Sequence, residues 1–580
     1  MAKANEEESG AESKVEIAKR QGRHLRGTIA ETLQSDATHF GHDDLQLLKF
    51  HGTYQQDDRD QRKARSEAEE KSYSFMVRVA LPGGILTSAQ YLALDDLAGS
   101  HANGTLRITT RQGFQFHGVL KQDLKPTIAA INQALATTIA ACGDVRRNVM
   151  GCPVDLTDPA HAAVHRAAER IAAELSPRAR AYYEIWLDGE VQVNTQEEAE
   201  PFYGSQFLPR KFKAGVALSS DNCVDIYSQD AGLLAVIEAG RIRGFNVLVG
   251  GGLGMTHGKG DTIARLAEPL GFVAEADGAA AIRHVAAIFR DHGNRKDRRH
   301  ARLKYLINEW GIERFRAEFV RRAEFPLHPA VELPVPAFHD HLGLSRTRDG
   351  SWTYGVFIQS GRIADTERQP LRRALRRLVE EHRPGLALTG QQNLLFTGLT
   401  EVEARLIDTE LRAAGVTPAT ELSPARRYSM ACPALPTCGL AVAEAERLLP
   451  DLLDRIEAEL TALGLQDRPI TIRMTGCPNG CARPYTADLA FVGRSLGLYQ
   501  VYVGGSLAGD RVADLYLAQV REGKLLESLR PLFQRWAAES TPGESLGDFY
   551  QRLIPREEPR RSITGRETPT AELVQLGGAR

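Results

Sequence analysis

The sequence predicts a mixed α and β protein (α/β or α+β) that is internally duplicated and has pseudo-twofold symmetry. Three observations support this fold class. Short apolar or alternating runs typical of strands are interspersed with amphipathic helical runs. Two motifs recur 280 residues apart, and four of the seven cysteines form two close pairs within the second copy.

Length and composition set the first limits. A chain of 580 residues is too long for one hydrophobic core, so several domains are expected. The formal net charge of −2 argues against a protein that binds nucleic acid through bulk charge. The acidic start "MAKANEEESGAESK" is neither a secretory signal nor a transit peptide, and no apolar run approaches the roughly 20 residues of a membrane span. We expect a cytoplasmic protein with no nucleic-acid or membrane partner.

The predicted elements follow in chain order. Residues 1–40 are rich in charge, which predicts a flexible arm that is either disordered or docks a partner. Strands are predicted at "SFMVRVAL", "TLRITT" and "FQFHGVL", and helices at "DLKPTIAAINQALATTIAA" and "PAHAAVHRAAERIAAEL". "FPLHPAVELPVPAF", residues 325–338, has four prolines and no period, so it is predicted to be the main linker.

The duplication is visible in short matches. "TTRQGFQFHG" at 109–118 matches "TGQQNLLFTG" at 389–398, and "RRNVMGCP" at 146–153 matches "RRYSMACP" at 426–433, both at an offset of 280 residues. "FNVLVGGGLG" and "YQVYVGGSLAG" are related at a shorter offset. A site between two such halves draws residues from both.

The cysteine motifs "CPALPTC" and "CPNGC" are the strongest sign of chemistry. Four thiolates can close around a zinc ion or an iron–sulfur cube. Five residues separate the first pair, against roughly two to four in zinc knuckles, and this wide spacing favours the larger cube. Buried cysteines without metal are the third interpretation, but packing alone needs no turn-forming "GCPNGC". The four residues are Cys432, Cys438, Cys477 and Cys481.

A second constellation is basic and lies in the first half. One set of side chains occupies alternate positions and is predicted to share one face of a strand. A solvated face is the alternative, but the second copy lacks this charge, so folding does not require it and an anionic ligand explains it better. The face comprises Arg107, Thr109, Arg111, Gln115 and His117, and further basic residues are Arg78, Arg146, Arg147, Lys211 and Lys213.

Longer runs carry a resemblance to a known family: "RGTIAETL", "FHGTYQQDDRD", "TTRQGFQFHG", "EIWLDGE", "LPRKFK", "GFNVLVGGG", "SMACPALPTCGLAVAEAERLLP" and "IRMTGCPNGCARPY". Over nearly its whole length the chain resembles the assimilatory sulfite reductase hemoproteins, the siroheme and 4Fe-4S enzymes of the sulfite and nitrite reductase family. The resemblance implies a duplicated ferredoxin-like unit with siroheme between the halves.

The implied domains follow from that organisation. They are a flexible arm over 1–40, a first ferredoxin-like half domain over 41–145, a first siroheme-binding domain over 146–325, a linker with the second half domain over 326–420, an iron–sulfur and siroheme domain over 421–560, and a tail over 561–580.

The resemblance also implies residue roles. The four cysteines match the cluster ligands, and Cys481 matches the one that also ligates the siroheme iron. The residues that match the basic pocket where sulfite binds are Arg78, Arg147, Lys211 and Lys213. Other residues lie in sequence runs that, in the family, contact the siroheme macrocycle and its carboxylates. They are Arg107, Thr109, Arg111, Gln115, His117, Asn393 and Arg483. Arg146 departs from the family pattern, in which asparagine is expected.

The implied function is the six-electron reduction of sulfite to sulfide for sulfur assimilation. Nitrite reduction to ammonia is the alternative within the family, and a zinc-stabilised binding protein without catalysis is the alternative from another class. "VGGGLGM" does not complete a dinucleotide-binding motif. Electrons are therefore expected from an NADPH-linked flavoprotein subunit or, alternatively, from ferredoxin.

Overall fold

A computed structural model describes residues 12–23, 25–61, 71–178, 184–187, 190–194, 200–367 and 369–554. The predicted tail over 561–580 and the first eleven residues of the predicted arm lie outside these ranges. No helix within them is both long and apolar enough to cross a bilayer.

The first half of the chain contains helices and strands in alternation. Its strands are β1 (Thr53–Asp57), β2 (Tyr73–Arg78), β3 (Ile85–Leu86), β4 (Leu106–Ile108), β5 (Phe114–Val119), β6 (Met150–Gly151), β7 (Glu184–Leu187), β8 (Glu190–Asn194), β9 (Ala214–Leu218), β10 (Ala231–Glu238), β11 (Arg241–Val249) and β12 (Glu268–Ala274). Its helices are α1 (Lys14–Gln21), α2 (Ile29–Gln34), α3 (Asp44–Leu48), α4 (Ser88–Ser100), α5 (Lys121–Gln133), α6 (Pro159–Glu174), α7 (Gly278–His292) and α8 (Leu303–Arg322).

The second half repeats this arrangement after an irregular segment at 324–342. Its strands are β13 (Gly343–Arg346), β14 (Trp352–Val356), β15 (Arg362–Ile363), β16 (Gly385–Leu388), β17 (Leu394–Leu399), β18 (Ser429–Ala431), β19 (Ile472–Thr475), β20 (Leu489–Ser495), β21 (Leu498–Val503) and β22 (Asp514–Arg521). Its helices are α9 (Leu371–His382), α10 (Glu401–Ala413), α11 (Pro424–Arg427), α12 (Leu449–Ala462), α13 (Leu525–Glu539) and α14 (Leu546–Leu553).

Two of the sheets exchange strands between the halves. One has the order β1-β2-β5-β4-β15 and the other β13-β14-β17-β16-β3. The short strand β3 of the first half thus pairs with β16, and β15 of the second half pairs with β4. Because each sheet is completed by the other copy, the duplicated halves form one pseudo-twofold body with a shared apolar core.

The other two sheets are also related copies. In β6-β9-β10-β11-β12 and in β18-β19-β20-β21-β22 the first three strands run parallel and the last two pairings are antiparallel. Helices α6 and α7 cover the first sheet, where Val164, Ile171 and Ile282 are fully buried. Asp158 caps α6 by accepting bonds from two backbone N–H groups, and Pro159 follows at the first helical position.

The basic motif folds as a hairpin, so the separate strands predicted at "TLRITT" and "FQFHGVL" are confirmed, whereas the prediction that the polar face lies on a single strand is wrong. Strand β4 ends at Ile108, a turn covers 109–113, and β5 begins at Phe114. Arg107 lies opposite Gln115 across the hairpin, and Arg78 of β2 lies opposite Gln115 on its other side. Directly paired residues share a face, and so do alternate residues such as Gln115 and His117. The polar face therefore exists, built from three strands instead of one.

The two hairpin turns cross at the pseudo-twofold axis. Gln112 adopts φ 51° and Gln392 adopts φ 68°, both in the left-handed region. The amide of Gln112 donates to the carbonyl of Leu388 at 2.9 Å, and that of Gln392 donates to the carbonyl of Ile108 at 3.3 Å. Each turn thus satisfies the last carbonyl of the other copy's strand, which fixes the two motifs against each other.

The predicted flexible arm is wrong over residues 12–40. Helix α1 packs into the body, where Glu16 and Lys19 are each 1% exposed. The ammonium of Lys19 donates to Glu16 at 2.5 Å and to the carbonyl of Leu208 at 2.9 Å, and Arg295 donates to Glu16 at 2.6 Å. The charges that predicted a solvated segment are paired inside the fold. The predicted helix over 123–141 is also too long, since α5 ends at Gln133.

Candidate functional site

The cysteine loops meet because their strands are parallel neighbours. Cys432 directly follows β18, and Cys477 follows β19 by two residues. The ends of adjacent parallel strands lie at one edge of a sheet. There the N–H of Gly476 points at the sulfur of Cys432, at 3.4 Å, and the side-chain amide of Asn479 donates to the sulfur of Cys477 at 3.5 Å. A side chain at Gly476 would place its Cβ 2.5 Å from the carbonyl of Ala443, so only glycine fits.

The charges of the four cysteines interact, although only Cys432 and Cys477 are buried, while Cys438 is half-buried and Cys481 is exposed. Burial, together with the charge of Cys481, raises the pKa of the Cys477 thiol to about 12. Burial and Cys481 likewise raise the pKa of Cys432 and of Cys438. Within the described ranges no three of these sulfurs lie within 4.8 Å of one another. A tetrahedral zinc site with four thiolate ligands would have edges of about 3.8 Å, so the wider set suits a polynuclear cationic cluster.

Cys481 differs from the other three because it is exposed. Its carbonyl accepts a hydrogen bond from the hydroxyl of Thr110 at 3.0 Å, and Arg483 donates to the carbonyl of Thr110 at 3.0 Å. The cysteine loop of the second copy is therefore joined to the basic turn of the first copy. The same Arg483 donates to Gly390 at 2.7 Å and pairs with Asp225, so it touches both crossed turns.

Arg107 joins the basic face to the cysteine domain. Its guanidinium donates to Glu446 at 2.9 Å and to the carbonyl of Ala431, the residue before Cys432, at 2.8 Å. Arg362, which lies opposite Arg107 in the sheet, donates to the same Glu446 at 2.7 Å. Burial raises the pKa of Glu446, but Arg107 and Arg362 outweigh it and hold that pKa below its usual value.

Several buried polar atoms on this face have no protein partner among the described residues. They include the Nε of Arg78 and of Arg111 and both ring nitrogens of His117. Burial, with the charges of Arg362, Arg107 and Arg78, keeps the pKa of His117 well below its usual value. Donors left unpaired in a buried site cost stability unless a ligand accepts from them, so this face is built to receive acceptor groups.

Thr109 and Asn393 shape the turns themselves. The Thr109 hydroxyl accepts from the N–H groups of Arg111 and Gly113, each at 3.2 Å. The side-chain oxygen of Asn393 accepts from the N–H of Ile358 at 3.0 Å. Gln115 accepts from Arg107 at 3.4 Å. These three predicted cofactor-binding residues lie on or beside the polar face and orient its neighbours.

Two lysines complete the site on the side of Cys481. Burial, reinforced by the charges of Arg210, Arg302 and Arg147 and partly opposed by that of Cys481, lowers the pKa of Lys211 to about 7. Burial and Lys211 lower the pKa of Lys213 well below its usual value. Cys481, Arg147 and the two lysines thus lie within electrostatic reach of one another.

Comparisons with known proteins agree with this geometry. The family model described as "Nitrite and sulphite reductase 4Fe-4S domain" matches residues 167–327 and 423–553, and the "Nitrite/Sulfite reductase ferredoxin-like half domain" matches 67–134 and 345–414. Each model matches twice, once in each copy.

The chain belongs to the nitrite and sulfite reductase family.

Its relatives within this family align over nearly their whole length. The "Sulfite reductase [NADPH] hemoprotein beta-component" of Myxococcus xanthus is 46% identical over 95% of this chain and 99% of the relative. The "Sulfite reductase [ferredoxin]" of Synechococcus elongatus is 45% identical over 93% of this chain and 89% of the relative. The solved NirA protein of Mycobacterium tuberculosis shares the fold, with a TM-score of 0.76 and 24% identity over 94% of this chain and 97% of that one.

The residues fit the two groups that this family carries. The wide cysteine set is suited to a 4Fe-4S cluster, and the unpaired guanidinium and imidazole nitrogens are suited to the carboxylates of siroheme. Cys481 is the one exposed cysteine of the four, and its backbone carbonyl accepts from Thr110 in the basic turn. Residues of both copies would therefore hold these two groups.

Some residues of the site were not singled out from the sequence. Tyr54 lies beside Arg147, and their contact raises the pKa of the Arg147 guanidinium against the effect of burial. Asn148 donates to the carbonyls of Leu81, at 2.7 Å, and Arg111, at 2.8 Å, and so ties the segment before β6 to the hairpin turn. Tyr54 lies in the run "FHGTYQQDDRD" and Asn148 directly follows Arg147, so both were within quoted motifs.

Asp230 is the counter-charge that the sequence did not reveal. Its carboxylate accepts two bonds from Arg302, at 2.9 and 2.8 Å, and one from the backbone N–H of Lys213 at 2.8 Å. No local motif links residues this distant in sequence.

We expect Glu446→Gln to lower the free energy of unfolding by about 3 kcal/mol, because it leaves the buried Arg107 and the half-buried Arg362 without their shared carboxylate. Equilibrium urea denaturation measures the change. Glu444→Gln, which removes a partly exposed pair with Arg447, is the matched control and should change stability by less than about 1 kcal/mol. Equal changes in stability for the two variants would contradict a stabilising role for the carboxylate that Arg107 and Arg362 share.

Proposed function

We propose that this protein is the hemoprotein component of an assimilatory sulfite reductase, which reduces sulfite to sulfide with six electrons. The observation that carries the proposal is the junction of the exposed Cys481 with the basic turn through Thr110. Cys432, Cys438, Cys477 and Cys481 would hold the 4Fe-4S cluster, and Cys481 would also bind the siroheme iron. When bound, the coupled cofactors supply the electrons and the metal centre for the reduction.

The polar face would hold siroheme in one orientation. Arg111 and His117 offer unpaired nitrogens to its carboxylates, and Arg483 places its guanidinium between the two turns. Arg107, Thr109, Gln115 and Asn393 remain the proposed contacts or orienting residues around it. The guanidinium of Arg146 donates to the Ser176 hydroxyl at 2.9 Å and lies near Tyr203, so we do not assign Arg146 to the siroheme contacts.

The four basic residues of the proposed substrate pocket divide into two kinds. Arg78 and Arg147 keep fixed positive charge, which binds an oxyanion and holds it against the low dielectric of the site. Lys211, with its pKa lowered to about 7, can give up a proton near neutral pH, and burial and Lys211 also lower the pKa of Lys213. Three oxygens of sulfite must leave as water, and each departure needs protons delivered at oxygen.

The electron donor is proposed to be an NADPH-linked flavoprotein subunit, with ferredoxin as the alternative. Both kinds of relative align with this chain at nearly equal identity, and the larger number of those compared carry the NADPH name. We place the enzyme in the cytoplasm. Nitrite reduction is the second candidate, because the family model covers both substrates.

The substrate is tested by turnover of the cofactor-loaded protein with a reduced viologen dye. We expect sulfide as the product, at one sulfide per six electrons consumed, and a higher kcat/KM for sulfite than for nitrite. A higher kcat/KM for nitrite would overturn the sulfite assignment. If the protein, expressed with a supply of siroheme, were colourless and contained zinc as its only metal, the assignment as an enzyme would be overturned.

The pH profile tests Lys211. Its ammonium is charged below its pKa of about 7 and neutral above it, so kcat/KM for sulfite should fall as the pH rises through 7. Lys211→Arg keeps the positive charge, so the decrease of kcat/KM that comes from deprotonation of Lys211 should disappear. Its kcat should be lower by about 100-fold, because arginine does not release a proton.

Sulfite itself also titrates, but its titration affects the wild type and Lys211→Arg alike. The difference between the pH profiles of kcat/KM of these two enzymes therefore reports on Lys211. Lys259→Arg, at an exposed loop position, is the control and should retain the wild-type profile. An unchanged profile in Lys211→Arg would remove Lys211 from the proton supply.

Cys481→Ser tests the axial ligand. We expect the variant to lose the visible spectrum of siroheme coupled to the cluster, because a hydroxyl is a poor ligand for both groups. Cys142→Ser removes a buried cysteine outside the two motifs and should keep that spectrum. An active Cys481→Ser enzyme with the wild-type spectrum would refute the assignment.

A further inference from the structure

Four potential metal ligands converge in the first copy, away from the cysteine motifs. Their donor atoms, one from each of Cys152, Asp221, Cys223 and His341, all lie within 4.8 Å of one another. The sulfur of Cys152 is 3.5 Å from Asp221 Oδ2 and 3.7 Å from His341 Nε2, and that nitrogen is 3.0 Å from the same oxygen. Cys152, Asp221 and Cys223 are at most 3% exposed.

We propose that these four side chains bind one zinc ion. With Zn–S bonds of about 2.3 Å and Zn–N or Zn–O bonds of about 2.0 Å, a tetrahedral site has edges of about 3.3 to 3.8 Å. The three measured separations lie in or close to this range. Two thiolates, an imidazole and a carboxylate are the ligand types that zinc prefers, and the ion replaces two thiol protons on binding. Four protein ligands leave no open position, so the ion is structural.

The position of this site in the fold is independent support. Cys152 directly follows β6, as Cys432 directly follows β18, 280 residues later. Cys223 precedes a helical turn at Ile226–Ser228, as Cys481 precedes one at Pro484–Thr486, 258 residues later. The residues before these turns, Asp225 and Arg483, both adopt the left-handed conformation.

The proposed zinc site is therefore the pseudo-twofold counterpart of the cluster site. The first copy retains two of the four cysteines at equivalent places, and Asp221 and His341 provide the other two donors. Fewer sulfurs and a tighter spacing suit a single ion instead of a polynuclear cluster.

The neighbours of the site hold the donors in place. Asp221 Oδ1 accepts from the N–H of Cys223 at 3.0 Å and of His339 at 3.1 Å, which leaves Oδ2 directed at the other ligands. His161, held by Asp158 at 3.0 Å, approaches Cys152 from α6. Hydrogen bonds of this kind orient the ligands of known metal sites.

The ion would fasten the connection between the two copies. Cys152 and Cys223 belong to the first copy, whereas His341 lies near the end of the irregular segment at 324–342 that leads into the second. This described segment contains no helix or strand, and the N–H of Asn222 donates to its Ala337 carbonyl at 2.7 Å. A zinc ion would add a strong crosslink at the point where the chain crosses between halves.

The wild-type enzyme tests the site first. The cofactor-loaded protein, expressed with added zinc and dialysed against buffer, should contain about one zinc ion per chain in addition to its iron. Zinc K-edge absorption, which iron does not obscure, should show two sulfur ligands at about 2.3 Å and two nitrogen or oxygen ligands at about 2.0 Å. Zinc at less than about a tenth of that content, or a Cys152–Cys223 disulfide, would overturn the proposal.

His341→Ala should lower the zinc content about tenfold and leave iron and the siroheme spectrum unchanged. His339→Ala is the matched control, since His339 is an exposed histidine of the same segment that contributes only its backbone N–H. Retention of zinc in His341→Ala together with retention in Cys223→Ser would refute the ligand set. Should either variant misfold, the zinc content and the absorption edge of the wild type still decide.

Discussion

The crossing of the two hairpin turns is the constraint on which the rest of the structure depends. Gln112 and Gln392 each satisfy a strand carbonyl of the opposite copy, and the exchanged strands β3 and β15 complete the opposite sheets. A buried carbonyl without a donor costs roughly 1–3 kcal/mol, so neither turn can move alone without a penalty in both halves. The polar turn of one copy is thereby held against the cysteine loop of the other.

This fixed crossing allowed the copies to diverge in chemistry while the backbone stayed the same. Thr109 and Thr389 accept equivalent bonds from their turns, but Arg111 in the first copy is Gln391 in the second. Asp225 and Arg483, which occupy equivalent left-handed positions, pair with each other across the axis. Opposite charges at these two positions attract, whereas identical charges would repel. The difference between the two copies at this position therefore stabilises the contact between them.

The sequence predicted the duplication, the cysteine set and the polar face because each is written in short contiguous motifs. The predictions from the sequence were wrong where the interacting residues are far apart along the chain. The charges of α1 indicated a solvated arm, yet Glu16 finds Arg295 and Lys19 finds Leu208 through the tertiary fold. The alternation from Arg107 to His117 implied one strand, because a tight turn at Thr109–Gly113 preserves the face on either side of a hairpin. Asp230, the counter-charge of the pocket, carries no local signature at all.

The choice between arginine and lysine in the pocket follows from what burial does to each. Burial lowers the pKa of Arg111 to about 9, yet the guanidinium stays protonated at neutral pH. It donates three hydrogen bonds, to Gln229 and to the carbonyls of Asn148 and Ala214. The same burial brings the pKa of Lys211 to about 7. One desolvated environment therefore yields an arginine that stays charged at neutral pH, beside the proposed siroheme site, and a lysine that can exchange a proton there, as the proposed reduction would require.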